Sequence, residues 1–149
     1  MTRPSISFEV FGVAEPKGSA RAFMPKGAKY PVVTSDNPNL KKWEQTIRGE
    51  LQRVMKQTDG HTLTQIFNSP VAVGLRFHLP RPKSRKKAKY PTTRPDVDKL
   101  ARAAIDALSG VAFKDDNQVV AVQARKVYAD GAAKVEIVIE SWGERTLLT

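Results

Sequence analysis

The 149-residue sequence predicts a single α+β domain spanning residues 1–149, in which two main helices pack on a mixed β-sheet. Three observations carry this expectation. Two segments alternate apolar and polar residues with a period of two. Two others repeat apolar residues at three- and four-residue steps, and no internal repeat or linker divides the chain. A chain of about 150 residues hides roughly two thirds of its surface, enough for one real core.

Ser5–Val13 places Ile6, Phe8 and Val10 on one face and Ser7 and Glu9 on the other, the pattern of a first strand. Glu15–Pro31 is rich in Gly, Pro and basic residues, and its apolar pieces Arg21–Met24 and Pro31–Thr34 fit edge strands. Asp36 or Asn37 then offers an N-cap, with Pro38 in the first turn. Leu40, Trp43, Ile47, Leu51 and Val54 share one face, so Pro38–Lys56 is expected to be an amphipathic helix, followed by a polar connector over Gln57–Ser69. Pro70–Leu79 alternates strictly and is a second strand. Asp96–Ser109 reads as a helix with a stripe of Val97, Leu100, Ala101, Ala104, Ile105 and Leu108, and Gly110 is placed to stop it. Gln118–Tyr128 and Lys134–Trp142 are expected as two strands of a hairpin turning at Asp130-Gly131. The order is strand, helix, strand, helix, strand, strand.

Composition removes several chemistries. There is no Cys, hence no disulfide, no thiolate nucleophile and no Cys-built zinc site. His61 and His78 are the two histidines, so a Ser-His-Asp triad or a His-metal-His nuclease motif would rest on a single imidazole. No run of 18 apolar residues exists and the Met1–Glu9 start lacks the apolar core of a signal peptide, which points to a cytoplasmic protein with no membrane partner. With 25 Lys+Arg against 15 Asp+Glu, the net charge is +10. That balance calls for a polyanion, and nucleic acid fits better than an anionic membrane because no basic segment carries a long apolar face.

Arg81, Lys83, Arg85, Lys86, Lys87, Lys89 and Arg94 supply +7 of the +10, in a loop at about residues 81–95 with no acidic residue before Arg94. A charge run alone can be a solvated, solubilising loop. Its position directly before an acidic motif favours phosphate binding, with Lys17 and Arg21 as further contacts to duplex arms. Tyr90 interrupts the run and could stack on a base, although a packed loop Tyr is the commoner outcome.

Asp96 and Asp98 open the second helix, and Asp115-Asp116 follow its end. Each pair has an ordinary explanation: aspartates at a helix N-terminus favour the dipole, and Lys114–Asn117 is a run of turn formers. The helix of about 13 residues is some 20 Å long, so Asp116 reaches Asp98 only if Phe113–Gln118 runs back along it into the next strand. Carboxylates gathered that way repel, and a hard divalent cation relieves them; Mg²⁺ needs one or two carboxylates plus waters and substrate phosphate. Asp98, Arg102 and Asp106 recur at i, i+4 and i+8. They form either a surface salt-bridge ladder or a face on which Arg102 supports phosphate charge, with Asp106 structural.

Arg94-Pro95-Asp96-Val97-Asp98-Lys99-Leu100, Ala104-Ile105-Asp106-Ala107-Leu108 and Asp115-Asp116-Asn117-Gln118-Val119 together resemble the RusA family of Holliday junction resolvases. The similarity is strongest over Arg94–Lys126. The resemblance implies a small homodimeric, Mg²⁺-dependent endonuclease, with Mn²⁺ able to substitute, that nicks four-way DNA junctions symmetrically. It implies that Asp96, Asp98 and Asp116 are the essential metal-binding acids, and it suggests a bacteriophage or prophage origin. The sequence departs from the pattern at Lys99, where Asn is usual, and at Arg102, where a catalytic Lys is typical. Arg keeps the charge but cannot deprotonate, so electrostatic support survives and proton transfer does not. A two-fold dimer would present two identical sites to a symmetric junction, with Leu147 and Leu148 as candidate contacts. Two rivals remain: a nuclease of flaps or other branched intermediates, and a junction- or DNA-binding protein without significant catalysis.

Overall fold

A computed structural model describes residues 5–18, 20–24, 26–35, 37–59 and 67–143. Asp36, His61, Leu147 and Leu148 lie outside the described residues. The chain forms β1 (Ser5–Phe11), β2 (Ala20–Phe23), β3 (Val32–Ser35), α1 (Leu40–Asp59), β4 (Val71–Leu79), α2 (Val97–Leu108), β5 (Val119–Tyr128) and β6 (Lys134–Ser141). Single 3-10 turns occupy Lys83–Arg85 and Asp116–Gln118.

The expected α+β architecture is present: a mixed four-stranded sheet in the order β1-β6-β4-β5 with both helices on one face. Period-two patterning does the sorting. Ile6, Phe8 and Val10 of β1, Val73, Leu75 and Phe77 of β4, and Val135, Ile137 and Ile139 of β6 turn to the helices and are buried. Trp43, Ile47, Leu51 and Met55 of α1 close over them. The opposite face carries Glu9 paired with Lys134 at 2.7 Å and His78 hydrogen-bonded to Glu136 at 2.8 Å.

Three expectations change. The Asp130-Gly131 turn does not make a hairpin, because β4 lies between β5 and β6. β5 runs parallel to β4, with α2 as the crossover, while β6 runs antiparallel to β4 on its other side. The connection must therefore step over the end of β4. Ala129 N–H donates to the Leu79 carbonyl at 2.8 Å, and the Ala133 carbonyl accepts from Gly12 N–H at 3.0 Å. The edge-strand pieces pair with each other as a separate β2–β3 ribbon, Ala20 opposite Ser35 and Phe23 opposite Val32. Finally, the buried stripe of α2 is rotated: Ala103 and Ala107 are fully buried, whereas Val97 and Ile105 are only partly covered. Val97 and Ile105 instead line a groove together with Val119, Val122 and Ala124 of β5.

α1 starts at Leu40 and continues to Asp59, past the expected Lys56. Asn37 Oδ1 accepts from Asn39 N–H at 3.1 Å, so the cap and Pro38 sit just ahead of the helix. α2 ends at Leu108, just ahead of the expected stop at Gly110, whose φ of +85° favours glycine and whose N–H donates to the Phe113 carbonyl at 2.8 Å.

Candidate active site

The turned face of α2 and the free edge of the sheet enclose an open groove of about 520 Å³. Val97, Ala101 and Ile105 of α2 and Val119, Val122 and Ala124 of β5 form its apolar floor. Asp98, Arg102, Asp106 and Asp116 stand around it. Asp98 and Asp116, expected to converge from the two ends of the motif, line the same groove.

The turn that carries Asp116 is built by its neighbours. Asp115 Oδ1 accepts from Asn117 N–H at 3.0 Å, and Gln118 Oε1 accepts from the N–H groups of Lys114 at 2.8 Å and Asp115 at 3.1 Å. Gln118 Nε2 in turn donates to the carbonyls of Phe67 at 3.2 Å and Ser69 at 3.1 Å. Asp115 is therefore the capping acid, Gln118 fastens the turn to the strand entering β4, and the Asp116 carboxylate projects into the groove. Their titrations separate accordingly. The Asn117 N–H holds Asp115 below the usual carboxylate range, whereas the hydrogen-bonded Asp115 carboxyl, with desolvation and the Asp115 and Asp106 charges, pushes Asp116 up.

Asp96 occupies the N-cap of α2 by backbone geometry, its carbonyl accepting from Leu100 N–H at 3.1 Å. Its side chain makes no capping hydrogen bond; the nearest charge is Lys99, at 3.8 Å. It faces an adjoining hollow of about 480 Å³ shared with Glu15, Lys17, Asn37, Arg94 and Lys99, rather than the groove. Lys126, which the sequence reading passed over, fixes this junction: its ammonium donates to the carbonyls of Thr93 at 3.0 Å and Pro95 at 2.9 Å. No sequence-local signal links residue 126 to residue 93; the contact follows from the β5 crossover.

The i, i+4, i+8 ladder does not form. Asp106 Oδ2 accepts instead from Lys17 Nζ at 2.9 Å, and Arg102 makes no ion pair among the described residues. Arg48 donates to the Ala107 carbonyl at 3.1 Å, a cation at the C-terminal end of α2 where the helix dipole favours it. Lys17 is thus placed beside α2, and its pKa is raised above 10.5, first by the hydrogen bond to Asp106.

In the basic loop, Lys83, Lys86, Lys87, Lys89 and Arg94 are exposed, and Arg85 is half-buried. Arg81 is used internally. Its guanidinium donates to the carbonyls of Arg85 at 3.0 Å, Lys86 at 3.3 Å and Ala88, and lies 4.2 Å from the Tyr128 ring centroid. Tyr90 is not packed but 57 % exposed, with Lys89 over its ring. Arg21 sits on β2 opposite Thr34, and its side chain lies outside what the structure describes.

The groove offers carboxylate oxygens without sulfur or imidazole, the donor chemistry that suits Mg²⁺. Among the described residues no three Asp, Glu or His side chains close around one point, so a cation here would rely on one or two carboxylates, water and substrate phosphate. No helix of the described residues is long and apolar enough to cross a membrane.

The chain is 28 % identical over 145 residues to the uncharacterized protein YqaN of Bacillus subtilis strain 168, covering 90 % of this chain and 94 % of that protein. A family model described as endodeoxyribonuclease RusA matches residues 14–140, which takes in the groove, the adjoining hollow and the basic loop. The chain belongs to the RusA family of endodeoxyribonucleases.

Proposed function

We propose that this protein is a Mg²⁺-dependent endonuclease that resolves four-way DNA junctions by paired, symmetric nicks as a homodimer. The observation that carries the reading is the convergence of Asp98 and Arg102 from α2 with Asp116 from the next turn on one groove, in a chain of an endodeoxyribonuclease family. Asp98 and Asp116 would hold Mg²⁺, and Asp96 would contribute from the adjoining hollow. Bound there, Mg²⁺ would supply Lewis-acid activation of water and neutralise phosphate charge.

The chain's own residues account for the remainder. Arg102, free of ion pairs among the described residues, supports the charge that develops on the phosphate. Gln118 and Asp115 hold the Asp116 turn rigid, and Lys126 fixes the backbone that leads to Asp96. The exposed cations of the 83–94 loop draw the duplex arms toward the groove. One observation favours a rival, a junction-binding protein without catalysis: no three carboxylates close around one point among the described residues.

The test compares a labelled four-way junction, a flap and plain duplex in Mg²⁺ and in EDTA. The proposal expects paired nicks in the junction that require Mg²⁺, with weak or no cutting of duplex. Faster cutting of flaps would move the substrate to other branched intermediates. Junction binding without nicking under any divalent metal would favour the binding protein.

A further inference from the structure

Lys17, read on the sequence as a contact to the duplex arms, is set by the structure between the two concave sites. Its main chain is fixed first: Lys17 N–H donates to the Lys99 carbonyl at 3.0 Å in the opening turn of α2. The preceding Pro16 carbonyl accepts from Asn37 Nδ2 at 2.8 Å. From that anchor the side chain reaches the third turn of α2, where Nζ meets Asp106 Oδ2 at 2.9 Å. Lys17 lines the hollow with Arg94, Asp96 and Lys99, while Asp106 lines the groove with Asp98, Arg102 and Asp116. The pair therefore marks the seam between the two.

As a staple the pair adds little, because about a third of each side chain is exposed and two other hydrogen bonds, one main-chain and one from the Asn37 side chain, already hold the segment. An ammonium has three N–H donors, and among the described residues Lys17 spends one. The other two are available to a phosphate crossing the seam.

We propose that Lys17 is a catalytic cation that contacts the phosphate backbone of the strand being cut, that Asp106 is the positioning residue that aims it, and that this strand runs from the Arg94–Lys99 hollow into the α2–β5 groove. This rests on the nuclease reading above. Lys17 acts as a protonated donor; no proton leaves it.

The test measures single-turnover nicking of a four-way junction in Mg²⁺, junction affinity in EDTA and thermal unfolding. Its variants are Lys17→Met, which keeps the aliphatic stem, Lys17→Arg, Asp106→Asn, and Lys17→Met with Asp106→Asn, beside wild type and Asp98→Asn. Lys17→Met is expected to cut about 100-fold slower, with affinity within about fivefold and an unchanged melting temperature. Lys17→Arg should restore most of the rate. Asp106→Asn should slow cutting about tenfold, and the double variant should be no slower than Lys17→Met alone, since both changes act through one group. Wild-type cutting by Lys17→Met, a loss matched by lowered melting temperature, or multiplying losses in the double variant would each overturn the assignment. If wild type cuts and Asp98→Asn does not while Lys17→Met is unaffected, only this inference fails. If wild type cuts no DNA at all, the nuclease reading fails and this one with it.

Discussion

The acidic groove and the basic loop are both exposed and charged, but they are held in opposite ways. Around the groove and the hollow beside it, the chain is fixed by specific partners: the Asp116 turn by Asp115 and Gln118, the backbone leading to Asp96 by Lys126 acting on Thr93 and Pro95, and Lys17 by the Lys99 carbonyl and Asp106. The loop is held from its root. One residue, Arg81, gathers three of its carbonyls and stacks on Tyr128, leaving Lys83, Lys86, Lys87, Lys89 and Arg94 exposed. Chemistry on a phosphate needs placement within a fraction of an ångström, whereas attraction of a polyanion needs charge density and tolerates motion. The two regions should therefore respond differently to substitution, the groove in rate and the loop in affinity.

The largest effect is expected from Asp116→Asn, about 10³-fold slower nicking with junction affinity retained. Asp115→Asn should be far milder, because an amide oxygen can still accept from Asn117 N–H. Equal losses in the two would break the division between capping and reacting acids. Next comes Gln118→Ala, which leaves the carbonyls of Phe67 and Ser69 without their donor. It should lower stability by about 2 kcal/mol in a denaturant titration and slow cutting at least tenfold. In the loop, Lys86→Ala with Lys87→Ala should leave the saturated nicking rate unchanged. The slope of log affinity against log salt should flatten by about two, roughly one per phosphate contact. An unchanged slope would remove these residues from the DNA interface. The smallest effect concerns pH. Because Lys17 is raised in the folded protein, its ion pair is complete below the ordinary value of 10.5 and is lost only as pH rises through the folded value. The rate ratio of wild type to Lys17→Met should accordingly stay flat between about pH 7 and 9, and a steep change there would show that Lys17 titrates in the reaction.

Much of this was legible in the chain because it depends on local periodicity. β1 and β4 show strict alternation, α1 and α2 show their stripes, and Gly110 stops α2 where a positive φ is required. The three-part motif also placed Asp98, Arg102 and Asp116 on a shared feature. What the chain concealed was long-range. Asp130-Gly131 has ideal hairpin chemistry, yet turn residues carry no information about which third strand lies between the two they join. The rotated stripe of α2 buries Ala103 and Ala107 and leaves Val97 and Ile105 partly covered, a consequence of tertiary packing rather than of helical spacing. Asp106 meets a partner, Lys17, that is 89 residues away, and Lys126 is held by backbone carbonyls, neither of which a sequence pattern reveals. Asp96 looked like one of three equivalent acids, and the structure sets it in the adjoining hollow.

On the proposed reading, DNA is cut in the α2–β5 groove. Its most direct test is nicking of a labelled four-way junction in Mg²⁺ by wild type beside Asp98→Asn, with binding of both measured in EDTA. Paired symmetric nicks are expected from wild type and none from Asp98→Asn, at closely similar affinity. Nicking by Asp98→Asn at the wild-type rate would place the chemistry elsewhere on the molecule and contradict it.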